Sequence, residues 1–114
     1  MIKRSIRIHL QAILETLDGP HEIMKGVSLE AYKSSFEKRK ALERCVEIVS
    51  EASRHIPDVM KSKYPDSYWP EIRDIGNLLR HEYQRIDDLI MWRIAQSYFP
   101  ELRRVIKEML DNST

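Results

Sequence analysis

The chain has little cysteine, glycine or proline, with one, three and five of these residues among 114. The single cysteine, Cys45, cannot form an intramolecular disulfide, which excludes a disulfide-stapled fold and favours a reducing compartment. No apolar run approaches the length of a membrane span, and the charged first residues do not fit a signal peptide. The sequence therefore predicts a cytoplasmic protein that makes no use of a membrane.

An excess of charge of one sign is also missing. The chain carries 19 basic and 18 acidic residues, for a formal net charge of +1. Because the net charge of the chain is too small to attract nucleic acid over the whole surface, any contact with RNA or DNA must use a local patch of basic residues. The length predicts one domain over residues 1–114, and a domain of this size often gains stability from a second copy, so a homo-oligomer is expected.

The usual signatures of several enzyme classes are absent as well. The sequence contains no Walker loop, no glycine-rich dinucleotide motif, no G-x-S-x-G elbow and no paired-carboxylate signature. His9, His21 and His55 lie far apart, without a second ligand at zinc spacing. We therefore expect neither a metal site nor a cofactor.

What is present is helical periodicity. Runs of β-branched residues alternating with polar ones are lacking, so the fold class is predicted to be all-α. A break or kink is expected where Gly19 and Pro20 interrupt the first helix. The four main helices imply an antiparallel bundle of four to five helices. The predicted helices cover residues 4–17, 34–56, 86–98 and 101–110, and a further helix that carries the motif opens at Pro70.

The segment 73–87 is the most informative part of the chain. On a helix, Ile72, Ile75, Leu78 and Leu79 fall on one arc, and Arg73, Asn77, Arg80 and His81 fall on the opposite arc. An imidazole among guanidinium groups is what the binding or cleavage of a phosphodiester needs. The competing interpretation is a solvated face on which the arginines pair with neighbouring carboxylates.

Two segments, 41–53 and 69–87, together with Trp92 and the Phe-Pro-Glu-Leu at 99–102, resemble the HEPN superfamily and within it the HepT-like toxins. The resemblance implies a homodimer in which two motif helices face each other across a groove. It also implies a metal-independent endoribonuclease acting on RNA. Its partner would be an MntA-like nucleotidyltransferase antitoxin, which neutralises such toxins by transferring AMP to the tyrosine of an H-x-Y motif, here Tyr83.

The family signature is an Arg, then Asn, then a His, with a Tyr two residues beyond. Asn77, His81 and Tyr83 match this pattern, but Gly76 stands where the Arg is expected. Arg73, one turn earlier, and Arg80, beside the histidine, are the candidates to replace it. The resemblance therefore implies that His81 acts as general acid or base and that Arg80 or Arg73 stabilises phosphorane charge. Asn77 would orient His81 or a phosphate oxygen, and Tyr83 would contact the substrate.

Two other functions remain open at this point. Gly76 in place of the arginine favours a non-catalytic partner that binds a nucleotide or serves as a scaffold for a minimal nucleotidyltransferase. A DNA-binding regulator is less well supported, because the motif helix offers only one short polar arc to a major groove.

Overall fold

A computed structural model describes residues 2–112, and within that range every regular element is helical. The predicted all-α bundle is confirmed. Two short non-α turns interrupt the second half of the chain, a 3₁₀ turn at Tyr83–Arg85 and a π turn at Ile94–Tyr98. The helices are α1 (Arg4–Ile23), α2 (Leu29–Lys33), α3 (Phe36–Ser53), α4 (Asp58–Lys61), α5 (Trp69–His81), α6 (Asp88–Arg93) and α7 (Phe99–Asp111).

The four longest helices form the bundle, and α3 lies between α1 and α5, while α7 packs against α1. Apolar residues at three- and four-residue spacing on each helix supply the core, as an amphipathic helix in a bundle requires. Their burial is the main source of stability. The central buried side chains are Leu10, Ile13 and Leu17 of α1, Leu42, Val46 and Val49 of α3, Ile72 and Leu79 of α5, and Leu102, Val105 and Ile106 of α7.

The expected break at Gly19 and Pro20 is wrong, because α1 continues through both residues to Ile23. Proline removes one helical hydrogen bond, and tertiary packing can offset that loss. Here Leu17 and Pro20 are both buried. In addition, Arg103 Nε of α7 donates to Asp18 Oδ1 at 3.1 Å. Contacts on both sides of the weak point therefore keep the helix in one piece.

Serine caps fix where two helices start. The hydroxyl of Ser35 accepts from Lys38 N at 3.1 Å, so α3 begins at Phe36, slightly later than periodicity predicted. The hydroxyl of Ser28 accepts from Ala31 N in the same way and starts α2. The Ser35 cap thereby fixes the position of Phe36, the first residue of α3, which lies on the surface beside the candidate site.

Helix α5 carries the motif and is preceded by Tyr68, which has a left-handed backbone with φ 67°. Pro70 lies in its first turn, where the missing N–H has no helical partner to lose. The helix ends at His81, so Arg80 and His81 both lie in its last turn, where cations interact favourably with the helix dipole. No helix within residues 2–112 combines the length and the apolar composition needed to cross a bilayer.

Candidate active site

The polar arc predicted on α5 lies at the protein surface. Trp69, Ile72, Gly76 and Leu79 are the buried residues of this helix. On the other side, Arg73, Asn77, Arg80 and His81 are all exposed. The bundle therefore covers one face of α5 and leaves the four polar residues at the surface, with the Arg80 side chain partly covered.

His81 is the freest of these side chains. Among residues 2–112, no hydrogen bond, ion pair or ring contact engages its imidazole. Both ring nitrogens are therefore accessible to a ligand. An imidazole sealed inside the bundle would have ruled out a direct chemical role, and His81 is not sealed.

The side chains of Arg80 and Asn77, which lie one helical turn apart on α5, are bonded to each other and form one unit. The Arg80 guanidinium donates a hydrogen bond to Asn77 Oδ1. A second nitrogen of the same guanidinium lies 4.0 Å from Glu51 Oε2 on α3. A bond to an amide and a long ion pair at the surface are both weak, so this cation can exchange its partners for a phosphate at little cost.

Arg73 lies apart from that unit. Its Nε donates to Asp74 Oδ1 at 3.3 Å, and its side chain lines a separate pocket of about 280 Å³ with Trp69 and Lys61. Eight residues separate Arg73 from His81, which is about 12 Å along a helix axis. Of the two candidate arginines, the structure brings only Arg80 close to Asn77 and the end of α5.

Gly76 is buried where α5 crosses α3. A Cβ at this position would lie 2.0 Å from Ser50 Oγ and 2.3 Å from Ser50 Cβ. No side chain fits at that distance, so the close approach of the two helices requires glycine. In this packing an arginine at position 76 would enter the helix contact instead of the polar face. Gly76 thus has a packing role in the contact between α5 and α3.

Tyr83 is held by a contact that spans 40 positions in the sequence. Its hydroxyl donates to Glu43 Oε1 of α3 at 2.7 Å. Glu43 is 5% exposed and also pairs with Lys40 Nζ at 3.3 Å, and Lys40 Nζ lies 4.5 Å from the centre of the Tyr83 ring. The hydrogen bond between Tyr83 and Glu43 therefore holds the turn after His81 against α3.

A second tyrosine adjoins this carboxylate. Tyr32 is fully buried, and its hydroxyl has no hydrogen-bond partner among residues 2–112. Burial raises the pKa of Tyr32 far above its ordinary range, and the negative charge of Glu43 raises it further. Tyr32 thus stays protonated beside Glu43, in an interior cluster that sequence reasoning did not anticipate.

We expect Tyr83→Phe to lower the free energy of unfolding by about 1–3 kcal/mol, because the buried carboxylate of Glu43 loses its short donor. Chemical denaturation measures this difference. Tyr98→Phe is the matched control, since the Tyr98 ring stacks on Tyr68 while no hydrogen bond engages its hydroxyl within residues 2–112. Equal stability of the two variants would show that the Tyr83 contact is not maintained in solution.

An open pocket of about 480 Å³ adjoins Arg80. In it, the rings of His9 from α1 and His55 stack with centres 4.0 Å apart and an angle of 6° between planes. Arg44 lies on its wall, 3.9 Å from Glu47. Sequence reasoning treated these histidines only as failed zinc ligands. No local spacing could have joined them, because the pocket is assembled from α1, α3, the turn after α3, and α5.

Within residues 2–112, no group of three or more histidine, cysteine, aspartate and glutamate side chains is arranged to hold a metal ion. The single cysteine is half-buried on α3, and burial raises the pKa of the Cys45 thiol. A raised thiol pKa lowers the reactive thiolate fraction, so Cys45 is a packing residue.

Comparisons with known proteins identify the family of the chain. The family described as ribonuclease HepT-like matches residues 6–109. "Putative RNase MJ1380" of Methanocaldococcus jannaschii is 30% identical over 107 residues, covering 94% of this chain and 98% of that protein. "Probable ribonuclease HepT" of Thermococcus cleftensis is 28% identical, covering 90% of this chain and 93% of that protein. No solved structure gives a significant match. The chain belongs to the HepT-like family of HEPN proteins.

Proposed function

We propose that the chain is a metal-independent endoribonuclease that cleaves RNA, and that it is the toxin of a cytoplasmic HEPN toxin–antitoxin pair. The observation that carries this proposal is the exposed imidazole of His81, which has no hydrogen-bond or ionic partner within residues 2–112, in the last turn of α5 beside the Arg80–Asn77 unit. Family membership supports RNA as the substrate, since the names of the relatives above designate ribonucleases. The active form is a homodimer of one helical domain, residues 1–114.

In the proposed reaction, His81 accepts the proton of a ribose 2′-hydroxyl. The 2′-oxygen then attacks the adjacent phosphorus, and the bond to the 5′-oxygen breaks. The leaving oxygen takes a proton from an imidazolium, supplied by His81 of a second copy across the groove. The products are a 2′,3′-cyclic phosphate and a 5′-hydroxyl. General acid and base action of this kind contributes a factor of roughly 10²–10⁴ in rate.

Arg80 is the proposed electrostatic group. As RNA binds, its guanidinium leaves Glu51 and donates to the nonbridging oxygens of the scissile phosphate, whose charge grows in the transition state. Asn77, already bonded to Arg80, fixes the direction of that donor. Arg73 lies too far along α5 for the same phosphate, and we assign it to a more distant phosphate of the strand.

The pocket beside Arg80 is the proposed site for a neighbouring nucleotide. Its volume of about 480 Å³ accommodates a base and a sugar. The stacked His9 and His55 rings offer a flat aromatic surface, and Arg44 supplies a cation at the rim. The carboxylates of Glu47 and Glu51 on the same wall limit the attraction for anions, so shape and stacking contribute more than charge.

The proposed regulator is an MntA-like nucleotidyltransferase that transfers AMP from ATP to the hydroxyl oxygen of Tyr83, which loses its proton while pyrophosphate leaves. A tyrosine that carries AMP can no longer donate to Glu43, and the added phosphate brings negative charge close to the place where RNA must bind. Modification would therefore release the turn after His81 and repel the substrate at once. Co-purification of the chain with such an enzyme, and a mass increase of one adenylyl group on Tyr83, test this step.

Incubation of the purified chain with single-stranded RNA in EDTA tests the proposed activity. We expect cleavage at the same rate in EDTA and in magnesium buffer, because the proposed chemistry uses only side chains. Gel electrophoresis of an end-labelled RNA measures it. Cleavage that disappears in EDTA and returns with magnesium would contradict the metal-independent mechanism.

The alternative of a non-catalytic partner predicts a different result. A tight complex with the nucleotidyltransferase, no growth defect when the chain is expressed alone, and no RNA cleavage under any buffer would support it. Glycine at position 76 also has a packing role against Ser50, so its presence is compatible with both functions.

A further inference from the structure

One large aromatic side chain is exposed where the bundle does not need it. Phe36, the first residue of α3, is 65% exposed. Phenylalanine is usually buried, and an exposed aromatic that is flanked by cations is typical of surfaces that receive nucleic-acid bases. The Ser35 cap holds this residue at the start of the helix, so the ring is presented by a fixed element and not by a loose loop.

Two cations of the next helical turn lie over this ring. Arg39 Cζ is 5.9 Å and Lys40 Nζ is 5.4 Å from the centre of the Phe36 ring. These distances are within the range of cation–π attraction, which orients a ring together with its cations. Residues three and four positions apart share one helix face, so Phe36, Arg39 and Lys40 form a single surface.

This surface is continuous with the proposed active site. Lys40 Nζ lies 4.5 Å from the centre of the Tyr83 ring as well as close to the Phe36 ring, and Tyr83 follows His81 by two positions. We call Phe36, Arg39, Lys40 and Tyr83 the Phe36 platform. A strand that passes His81 would cross Tyr83 and then reach Phe36.

One of the two cations of the Phe36 platform forms no ion pair within residues 2–112. Lys40 is paired with Glu43, but no ion pair engages Arg39 among residues 2–112; the Nε of Arg39 is buried, so the donors left for a ligand are the terminal nitrogens of its guanidinium. A guanidinium with unused donors beside an exposed ring matches a nucleotide, which offers a phosphate and a base together. A purely apolar partner would leave Arg39 uncompensated.

We propose that the Phe36 platform binds a nucleotide of single-stranded RNA outside the cleavage site, with the base stacked on Phe36 and the phosphate held by Arg39. This inference rests on the proposed ribonuclease function for the identity of the ligand. The Phe36 platform is expected to bind all four bases without selecting a sequence, because every base has a face that stacks on an aromatic ring.

The test is binding of a fluorescein-labelled, 2′-O-methylated single-stranded RNA, which cannot be cleaved, measured by fluorescence anisotropy. Phe36→Ala is expected to weaken binding about fivefold to a hundredfold, the range for loss of one base-stacking ring. Phe36→Tyr keeps the ring and should bind like wild type. Val59→Ala removes another strongly exposed apolar side chain, on α4, and should also bind like wild type.

A second measurement addresses the phosphate. Arg39→Gln should reduce the slope of log affinity against log salt concentration by about 0.7, the value for one contact with a single strand. Wild-type affinity in both Phe36→Ala and Arg39→Gln would overturn the proposal, as would the absence of RNA binding by the wild-type chain.

Two further outcomes are distinguishable. If Phe36→Ala converts a dimer to a monomer in sedimentation while RNA affinity per chain is unchanged, the surface is an interface between copies and the platform is wrong. If the wild-type chain binds this RNA through Phe36 but cleaves no RNA, the proposed catalytic function fails and the platform stands.

Discussion

His81→Ala is expected to lower the rate of RNA cleavage by a factor on the order of 10²–10⁴, with little change in RNA affinity. The reason is that the imidazole is the only titratable group of the α5 polar face suited to move the ribose proton near neutral pH. Since no hydrogen bond, ion pair or ring contact engages the His81 imidazole within residues 2–112, its removal should leave the fold intact. Single-turnover cleavage with the enzyme in excess, alongside RNA binding and thermal unfolding, measures the three quantities separately.

His21→Ala serves as the matched control. His21 is also exposed and also lies in the last turn of its helix, α1, but it belongs to a different pocket, formed with Leu17 and Met24. We expect this variant to cleave at the wild-type rate. A loss of activity in His81→Ala that is matched by His21→Ala, or no loss in either, would remove His81 from the chemistry.

Gly76→Ala is expected to destabilise the fold by about 3 kcal/mol and to lower Tm by more than about 10 °C. The new methyl group would overlap Ser50, whose Oγ and Cβ lie 2.0 and 2.3 Å from the position it would take. Both residues are buried on rigid helices, so the overlap is relieved only by moving α5 away from α3. Because Asn77, Arg80 and Glu51 straddle this contact, activity should fall along with stability.

The chain contains its own control for this substitution. Gly19→Ala adds a methyl group in α1, where no atom lies within 4 Å. That change should stabilise by about 0.5–1 kcal/mol, because alanine favours the helix. Ser50→Gly should partly rescue Gly76→Ala, since it removes both clashing atoms, and a double-mutant cycle gives the coupling. Wild-type stability of Gly76→Ala would show that the two helices are not packed this closely.

The periodicity of the sequence was sufficient to predict the helical class and the polar face of α5. Buried and exposed positions on that helix alternate at helical spacing, so Ile72 and Leu79 could be separated from Asn77 and His81 without coordinates. The start of α3 was also close, because a serine cap is a local signal. These features depend only on residues within one helical turn of each other, so they can be predicted from the sequence alone.

Features set by tertiary contacts could not be predicted in this way. Proline after glycine signals a break, but the packing of Pro20 and the bond between Arg103 and Asp18 keep α1 continuous. The Tyr83–Glu43 hydrogen bond and the stacking of His9 on His55 join positions distant in the chain, and no local spacing encodes them. From the sequence, Gly76 reads only as the absence of an expected arginine. Its close approach to Ser50 depends on how α5 packs against α3, which the sequence pattern does not contain.

The most direct test of the proposed chemistry uses two matched oligonucleotides in EDTA, an all-ribose single strand and the same strand with one 2′-deoxynucleotide at the cut site. The account predicts cleavage of the ribose strand by the wild-type chain, with a 2′,3′-cyclic phosphate and a 5′-hydroxyl at the new ends, and an intact deoxy strand. Cleavage of both strands at the same position and rate would contradict it, because the 2′-hydroxyl would then not be the nucleophile that His81 activates.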